Sequence, residues 1–377
     1  FALPMLLDGA TVSTLSPQVP KDSYYGQWMC RHPEELLALH RSYLQAGAQA
    51  ICAPTAAANV FQLKRFGLED SVSEINKQLL AIPKAAGNVP VGGRIGPSGL
   101  LTPPLGETDF DDLYDAYREQ IRALNEGGAD FLFIESQDSL ADMRAATLAA
   151  RTTNLPVFVS VTLDANGHTS TGGGLLPTVI TLQAMDVDAI GMNCPLTPDE
   201  MLPILREVIP HASVPLLVKP SAYREDGTLL SPGAYSRGVH ELLISGASIV
   251  GGSHGTTPEH IAALKRELEL FAPWYRGAAA DYEDADNFAA AIETEAFFLG
   301  DDIVFSEPIE CSIGLGDDLN DLDDEQVNAA LVELNSMDDV LLLVEHSSMT
   351  RLPIAVRTEN PTILDAALRY FQGRLII

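Results

Sequence analysis

Residues 110–136 read Phe-Asp-Asp-Leu-Tyr-Asp-Ala-Tyr-Arg-Glu-Gln-Ile-Arg-Ala-Leu-Asn-Glu-Gly-Gly-Ala-Asp-Phe-Leu-Phe-Ile-Glu-Ser. In the first part Leu113, Tyr117, Ile121 and Leu124 recur every three or four positions among charged side chains, the pattern of a helix with one buried face. Residues 130–136 are a short β-rich apolar run, and a similar run at 89–95 precedes the helix. Strand, helix, strand in that order implies parallel strands joined by right-handed crossovers.

The unit repeats outward in both directions. Candidate strands lie at 5–8, 50–54, 89–95, 130–136, 156–163, 189–194, 215–220 and 248–253, with helical patterns between most of them, such as 33–46 with Leu36, Leu37, Leu39, Tyr43 and Leu44. Eight such units over about 270 residues predict a closed (β/α)8 barrel. An open doubly wound sheet is the alternative, but its glycine fingerprint is missing after the first strand, where the chain reads Asp8-Gly9-Ala10-Thr11-Val12. Two helix entrances carry capping signals: Ser139 with Asp142, and Thr257-Pro258-Glu259.

The chain has 377 residues and a formal charge of −29. That sign repels phosphate backbones and anionic lipid, so nucleic-acid and membrane-surface binding are excluded as leading readings. The charge is uneven: residues 1–272 carry −12 and residues 273–377 carry −17, with no lysine after Lys265. A second unit is therefore expected from 273 to 377, a small acidic α/β module with strands at 303–306, 340–344, 353–356 and 374–377 and helices at 325–334 and 361–371. Its acidic runs, Asp317-Asp318 and 321–325, lack the EF-hand spacing and read as solvated loop. No run is long and apolar enough for a membrane span, the first residues lack signal-peptide character, and four cysteines without CxxC make no disulfide framework. A soluble protein of the reducing cytoplasm is the expectation.

In a (β/α)8 barrel the chemistry sits where the chain leaves each strand. Here those positions hold Asp8, Thr55 with Asn59, Arg94, Glu135, Thr162, Cys194, Lys219 and Ser253-His254. Cys194 alone reads equally as a small buried hydrophobe or as a ligand or reactive thiol. The glycines before Ser253 permit close approach of a ligand to the backbone.

Residues 5 to about 270 resemble the zinc-dependent homocysteine S-methyltransferases, a family that includes the homocysteine barrel of cobalamin-dependent methionine synthase and betaine-homocysteine methyltransferase. The resemblance rests on Leu7-Asp8-Gly9-Ala10-Thr11, Ala53-Pro54-Thr55 with Asn59, Gly96-Pro97-Ser98-Gly99, Ile134-Glu135-Ser136, Gly191-Met192-Asn193-Cys194 and Gly251 through Ile261. It implies transfer of a methyl group to a thiol amino acid in methionine biosynthesis, with zinc holding the substrate as a thiolate and methylcobalamin supplied in trans by a corrinoid protein. It also implies that Cys194 is a zinc ligand, that Glu135 holds the substrate ammonium, that Asp8, Gly9, Ala10 and Thr11 receive its carboxylate, and that Asn59 and Asn193 contribute to substrate binding.

Where the family has two adjacent cysteine ligands, this chain has Ser253 and His254. Imidazole is a good zinc ligand and a neutral serine hydroxyl a poor one. Three outcomes stay open: zinc on Cys194, His254 and a third group such as Ser253; a metal-free site with His254 as general base; or a catalytically degenerate amino-acid-binding or scaffold barrel. Further departures are Val12-Ser13, Ala56 in place of an aromatic residue, and Ser221-Ala222-Tyr223; the loss of the aromatic side chain at 56 implies a larger pocket and a changed substrate. A different class, an aldolase-like barrel, would use Lys219 as a Schiff base. Residues 351–354, 360–361 and 366–374 resemble the early part of the pterin-binding barrel that follows in methionine synthases.

Overall fold

The structure, a computed structural model, describes residues 1–275, 288–322 and 326–377. Strands β1 (Met5–Leu6), β2 (Ile51–Ala53), β3 (Val91–Ile95), β4 (Phe131–Gln137), β5 (Val157–Val161), β6 (Ala189–Asn193), β7 (Leu216–Lys219) and β8 (Ala247–Val250) form one parallel sheet ordered β1-β8-β7-β6-β5-β4-β3-β2. A parallel bridge between Leu7 and Ala50 joins its two edges, and the Gln49 amide donates to the Leu6 carbonyl at 2.8 Å. The sheet therefore closes, and the fold is the expected (β/α)8 barrel rather than an open sheet. All of the expected barrel strands are present; β4 is shifted one residue onward to Phe131–Gln137, and the others are trimmed at one or both ends.

Around the sheet run α1 (Val12–Leu15), α2 (Tyr25–Arg31), α3 (Pro33–Ala46), α4 (Val60–Lys64), α5 (Val72–Lys84), α6 (Phe110–Glu126), α7 (Leu140–Ala150), α8 (Leu175–Gln183), α9 (Pro198–Val208), α10 (Pro232–Ser245) and α11 (Pro258–Phe271). Helix α6 buries Leu113, Tyr117, Ile121 and Leu124, as their spacing dictates, and keeps Asp111 and Asp112 in its first turn, where they suit the helix dipole. Helices α3, α9, α10 and α11 each begin on proline, which has no amide hydrogen to leave unpaired. Thr257 is the N-cap of α11, as its sequence predicts. Ser139 makes no capping bond, and Asp142 accepts instead from Tyr117 Oη and, at 3.2 Å, from Ser98 Oγ.

Side chains alternate across each strand, so two apolar layers form. Phe131 and Phe133 of β4 and Ala189 of β6 fill the barrel interior, while Leu132, Ile134, Ile190 and Met192 pack outward against the helices. Fully burying each such large side chain contributes about 2–3 kcal/mol. The same alternation carries on past β6: Asn193 turns inward and Cys194 joins the outer layer.

The remaining residues form β9 (Ala289–Ala291) and β10 (Ala296–Phe298), an antiparallel pair, and a parallel sheet of β11 (Ile309–Glu310), β12 (Ala330–Glu333) and β13 (Ile354–Arg357), with α12 (Leu315–Asp321), α13 (Met337–His346) and α14 (Pro361–Tyr370). They bury their own apolar cluster, centred on Leu315, Val332, Leu343 and Ile354. Several sequence expectations change here. The span 340–344 is helix, not strand: Ser336 and Asp339 cap it reciprocally, and Val340 and Leu343 are buried while Leu341 is 53% exposed, a helical rather than alternating pattern. The expected helix at 325–334 is replaced by β12, whose residues pair with β13; residues 323–325 lie outside the described residues. Residues 303–306 and 374–377 contribute isolated bridges through Phe305, Arg374 and Ile376. Of the acidic runs, Asp317, Asp318 and Asp321 sit in α12.

Helix α14 lies on the barrel. Arg144 of α7 donates to the carbonyls of Leu368 (2.6 Å), Arg369 (3.3 Å) and Phe371, and Asp111 of α6 accepts from Arg369 Nε (2.9 Å) and Tyr370 Oη (2.7 Å).

Candidate binding site at the barrel mouth

The carboxyl ends of the strands bring four charged side chains together. Glu135 of β4 accepts from Asn193 Nδ2 at 2.7 Å and Lys219 Nζ at 3.0 Å on Oε1, while Arg94 Nε of β3 lies 3.1 Å from Oε2. Asp8 accepts from the Cys52 amide at 2.9 Å on Oδ2, and its Oδ1 lies 3.4 Å from Arg94 Nη2 and 3.8 Å from Lys219 Nζ. All four are buried, Lys219 at 1% and Asp8 at 0% exposure. Burial would push the Glu135 carboxyl up, but Arg94 and Lys219 outweigh it and hold the group below its ordinary value. Burial likewise works against the Arg94 charge, and Glu135 with Asp8 more than restores it. His40 lies 3.9 Å from Asp8 Oδ2, and burial lowers its pKa to about 4, so it is neutral at physiological pH.

Above this quartet opens a cavity of about 400 Å³, lined among others by Thr11, Arg94, Glu135, Asn193, Lys219 and His254. Three buried polar atoms on that lining make no hydrogen bond among the described residues: Thr11 Oγ1, Asn193 Oδ1 and Arg94 Nε, which faces Glu135 without an aligned bond. Buried polar atoms are normally paired, so unpaired ones on several residues lining one cavity mark a candidate ligand site. Gly9 is required beneath it, since a Cβ there would sit 2.8 Å from the Tyr43 ring, whose hydroxyl donates to the Ala10 carbonyl at 2.6 Å.

The residues singled out in the sequence divide. Glu135, Asn193, Gly9, Ala10, Thr11, Ser253 and His254 do line the mouth, and Asp8 lies just beneath them. The Ala10 amide, expected to face a carboxylate, is already bonded to Thr256 Oγ1 at 3.0 Å. Asn59 is elsewhere: it caps α4, accepting from the Gln62 amide at 2.9 Å. Cys194 does not line the cavity; it is 3% exposed in the apolar layer outside the sheet, and burial pushes its thiol up to about 11. His254 is exposed on the rim, its ring 5.2 Å from that of Tyr223.

Zinc is therefore tested by its donors. Cys194 stays a thiol in the apolar layer, Ser253 offers only a neutral hydroxyl, and among the described residues no group of three or more His, Cys, Asp or Glu could hold a metal. This donor set does not fit zinc. Lys219 is committed to two carboxylates and is not the free amine that a Schiff base needs. Arg94 and Lys219 were on the sequence list of strand exits, but nothing in the sequence said that they pair with Glu135 and Asp8. Among the described residues no helix is long and apolar enough to cross a membrane.

Comparison with known proteins gives consistent results. A family model described as homocysteine S-methyltransferase matches residues 5–268. Methionine synthase from Mycobacterium leprae and that from Mycobacterium tuberculosis are each 29% identical over 285 positions, which cover 68% of this chain and 24% of theirs. The chain thus spans about a quarter of the length of these relatives. Among solved structures, the homocysteine methyltransferase MmuM from Escherichia coli aligns in its oxidized form with a TM-score of 0.61 at 24% identity, covering 70% of this chain and 95% of that one. Its metallated form aligns at 0.60 and 22%, covering 70% and 95%. These likenesses are of fold.

Proposed function

Because the chain belongs to the homocysteine S-methyltransferase family, we propose that its barrel mouth binds a small thiol and supports transfer of a methyl group to the sulfur, without the family's zinc. The observation that carries this reading is that two residues lining one cavity of about 400 Å³, Thr11 and Asn193, hold buried polar atoms, Oγ1 and Oδ1, without a partner among the described residues. Arg94 and Lys219 supply the positive charge that favours a thiolate over a thiol. His254, on the rim of the same cavity, is the base that takes the thiol proton. The sulfur lone pair then forms the S–C bond as the methyl group leaves its donor, a corrinoid or similar carrier that reaches the sulfur through the open face of the mouth. Residues 273–377, with their separate apolar cluster, are proposed as a distinct small module docked by α14.

The test is thioether formation, followed by mass spectrometry, with small thiols and methylcobalamin in protein treated with a strong chelator. Chelated protein should remain active, and His254→Gln should lower turnover by about a hundredfold. Activity that vanishes on chelation and returns only with zinc would overturn the metal-free site. Tight thiol binding without product from any donor would instead establish the second reading, a binding or scaffold barrel.

A further inference from the structure

We propose that the thiol accepted at the mouth carries a carboxylate or similar small anionic group and no α-ammonium; this rests on the mouth being a thiol site, as argued above. An α-ammonium is held most strongly by a free carboxylate, and both carboxylates here are occupied by the chain's own groups. Glu135 is held by Asn193 Nδ2 at 2.7 Å, Lys219 Nζ at 3.0 Å and Arg94 Nε at 3.1 Å. Asp8 is 0% exposed, receives the Cys52 amide at 2.9 Å, and has Arg94 and Lys219 at 3.4 and 3.8 Å. Two cations already sit where a third would have to enter, and Lys219 Nζ is further held 5.3 Å from the Phe133 ring centroid. An incoming ammonium would have to displace one of them or stand beside both.

An anion meets the opposite situation. Arg94 and Lys219 line the cavity with Glu135, while Asp8 lies beneath them against both cations, so an anion meets a quartet that is neutral in sum within a chain of net −29. Arg94 and Lys219 carry eight N–H donors between them, more than their contacts with the two carboxylates engage, and Thr11 Oγ1 is buried and unpaired; these are the groups able to donate to a ligand carboxylate. Asn193 Oδ1, the unpaired acceptor across the mouth, is left for the thiol S–H. The carboxylate oxygens that would hold an ammonium are thus filled from within, while donors for an anion stand open.

Homocysteine and its two truncations isolate each charge. 4-Mercaptobutanoate lacks only the amino group, and 3-mercaptopropylamine lacks only the carboxylate. Calorimetric titration of the unmodified chain with each should give 4-mercaptobutanoate the tightest binding, by about tenfold over homocysteine, with the amine weakest. Homocysteine binding as tightly as 4-mercaptobutanoate, or more tightly, would overturn this inference while leaving the mouth as a thiol site. Failure of all three thiols to bind would remove the thiol-site reading itself, and this inference with it. In Lys219→Met, which vacates one side of Glu135, the preference should swing toward homocysteine; a folded variant with unchanged ranking overturns the proposed cause. If that variant does not fold, the ranking on the unmodified chain still decides.

Discussion

Lys219 Nζ and Glu135 Oε1 lie 3.0 Å apart on the floor of the barrel mouth, one side chain from β7 and the other from β4, both buried. Removing one partner of a buried pair leaves the other charge uncompensated, so Lys219→Met should cost about 3 kcal/mol in urea unfolding at neutral pH. The Glu135 carboxyl is held below its ordinary value, so the stability it contributes is present above about pH 4.3 and lost as pH falls below that. The gap between the unmodified chain and Lys219→Met should therefore narrow on acidification below that point; a constant gap down to the acid transition would contradict the pairing.

His40 predicts a second pH dependence. It is fully buried, its Nε2 is 3.3 Å from the Cys52 carbonyl and 3.9 Å from Asp8, and burial lowers its pKa to about 4 despite the pull of Asp8. The unfolded chain binds the proton near pH 6.5 and the folded chain only near pH 4, so stability should fall by about 3 kcal/mol as pH drops between them. His40→Gln should flatten that slope in unfolding titrations.

At the seam, Arg144 is 4% exposed and donates to the Leu368, Arg369 and Phe371 carbonyls at the end of α14. Burial lowers its pKa to about 10, but it remains a cation at neutral pH and favours the negative end of the helix. Arg144→Met should destabilise the chain by about 3 kcal/mol and expose residues 358–377 to limited proteolysis. Asp111→Ala, at the solvent-exposed edge of the same seam, should cost only about 0.5–1 kcal/mol.

Cys194 should be inert. With its thiol buried and raised to about 11, it should resist iodoacetamide at neutral pH until the chain unfolds, as read by mass spectrometry of the labelled peptide. Cys194→Ala should leave metal content unchanged and cost about 1 kcal/mol from the small cavity it creates. Rapid labelling of the native chain would place this thiol at the mouth after all.

The sequence by itself determined the barrel and the level in it where the site lies. Short continuous apolar runs alternating with helical periods, as in residues 110–136, leave few ways to bury every face, and a strand exit is a position in the chain before it is a position in space. It also held an unused signal: Ile190 and Met192 share one parity along β6 and Asn193 the other, and Cys194, one residue past the strand, continues the outward parity. The helix at 337–346 was concealed because a Val-Leu-Leu-Leu-Val run satisfies either period until its cap is recognised. Only the tertiary structure decided what the site contains. Arg94, Glu135, Lys219 and Asp8 come from four different strands, and whether a carboxylate is open to a ligand or filled by the chain's own cations depends on ångström distances across the barrel that no local pattern encodes.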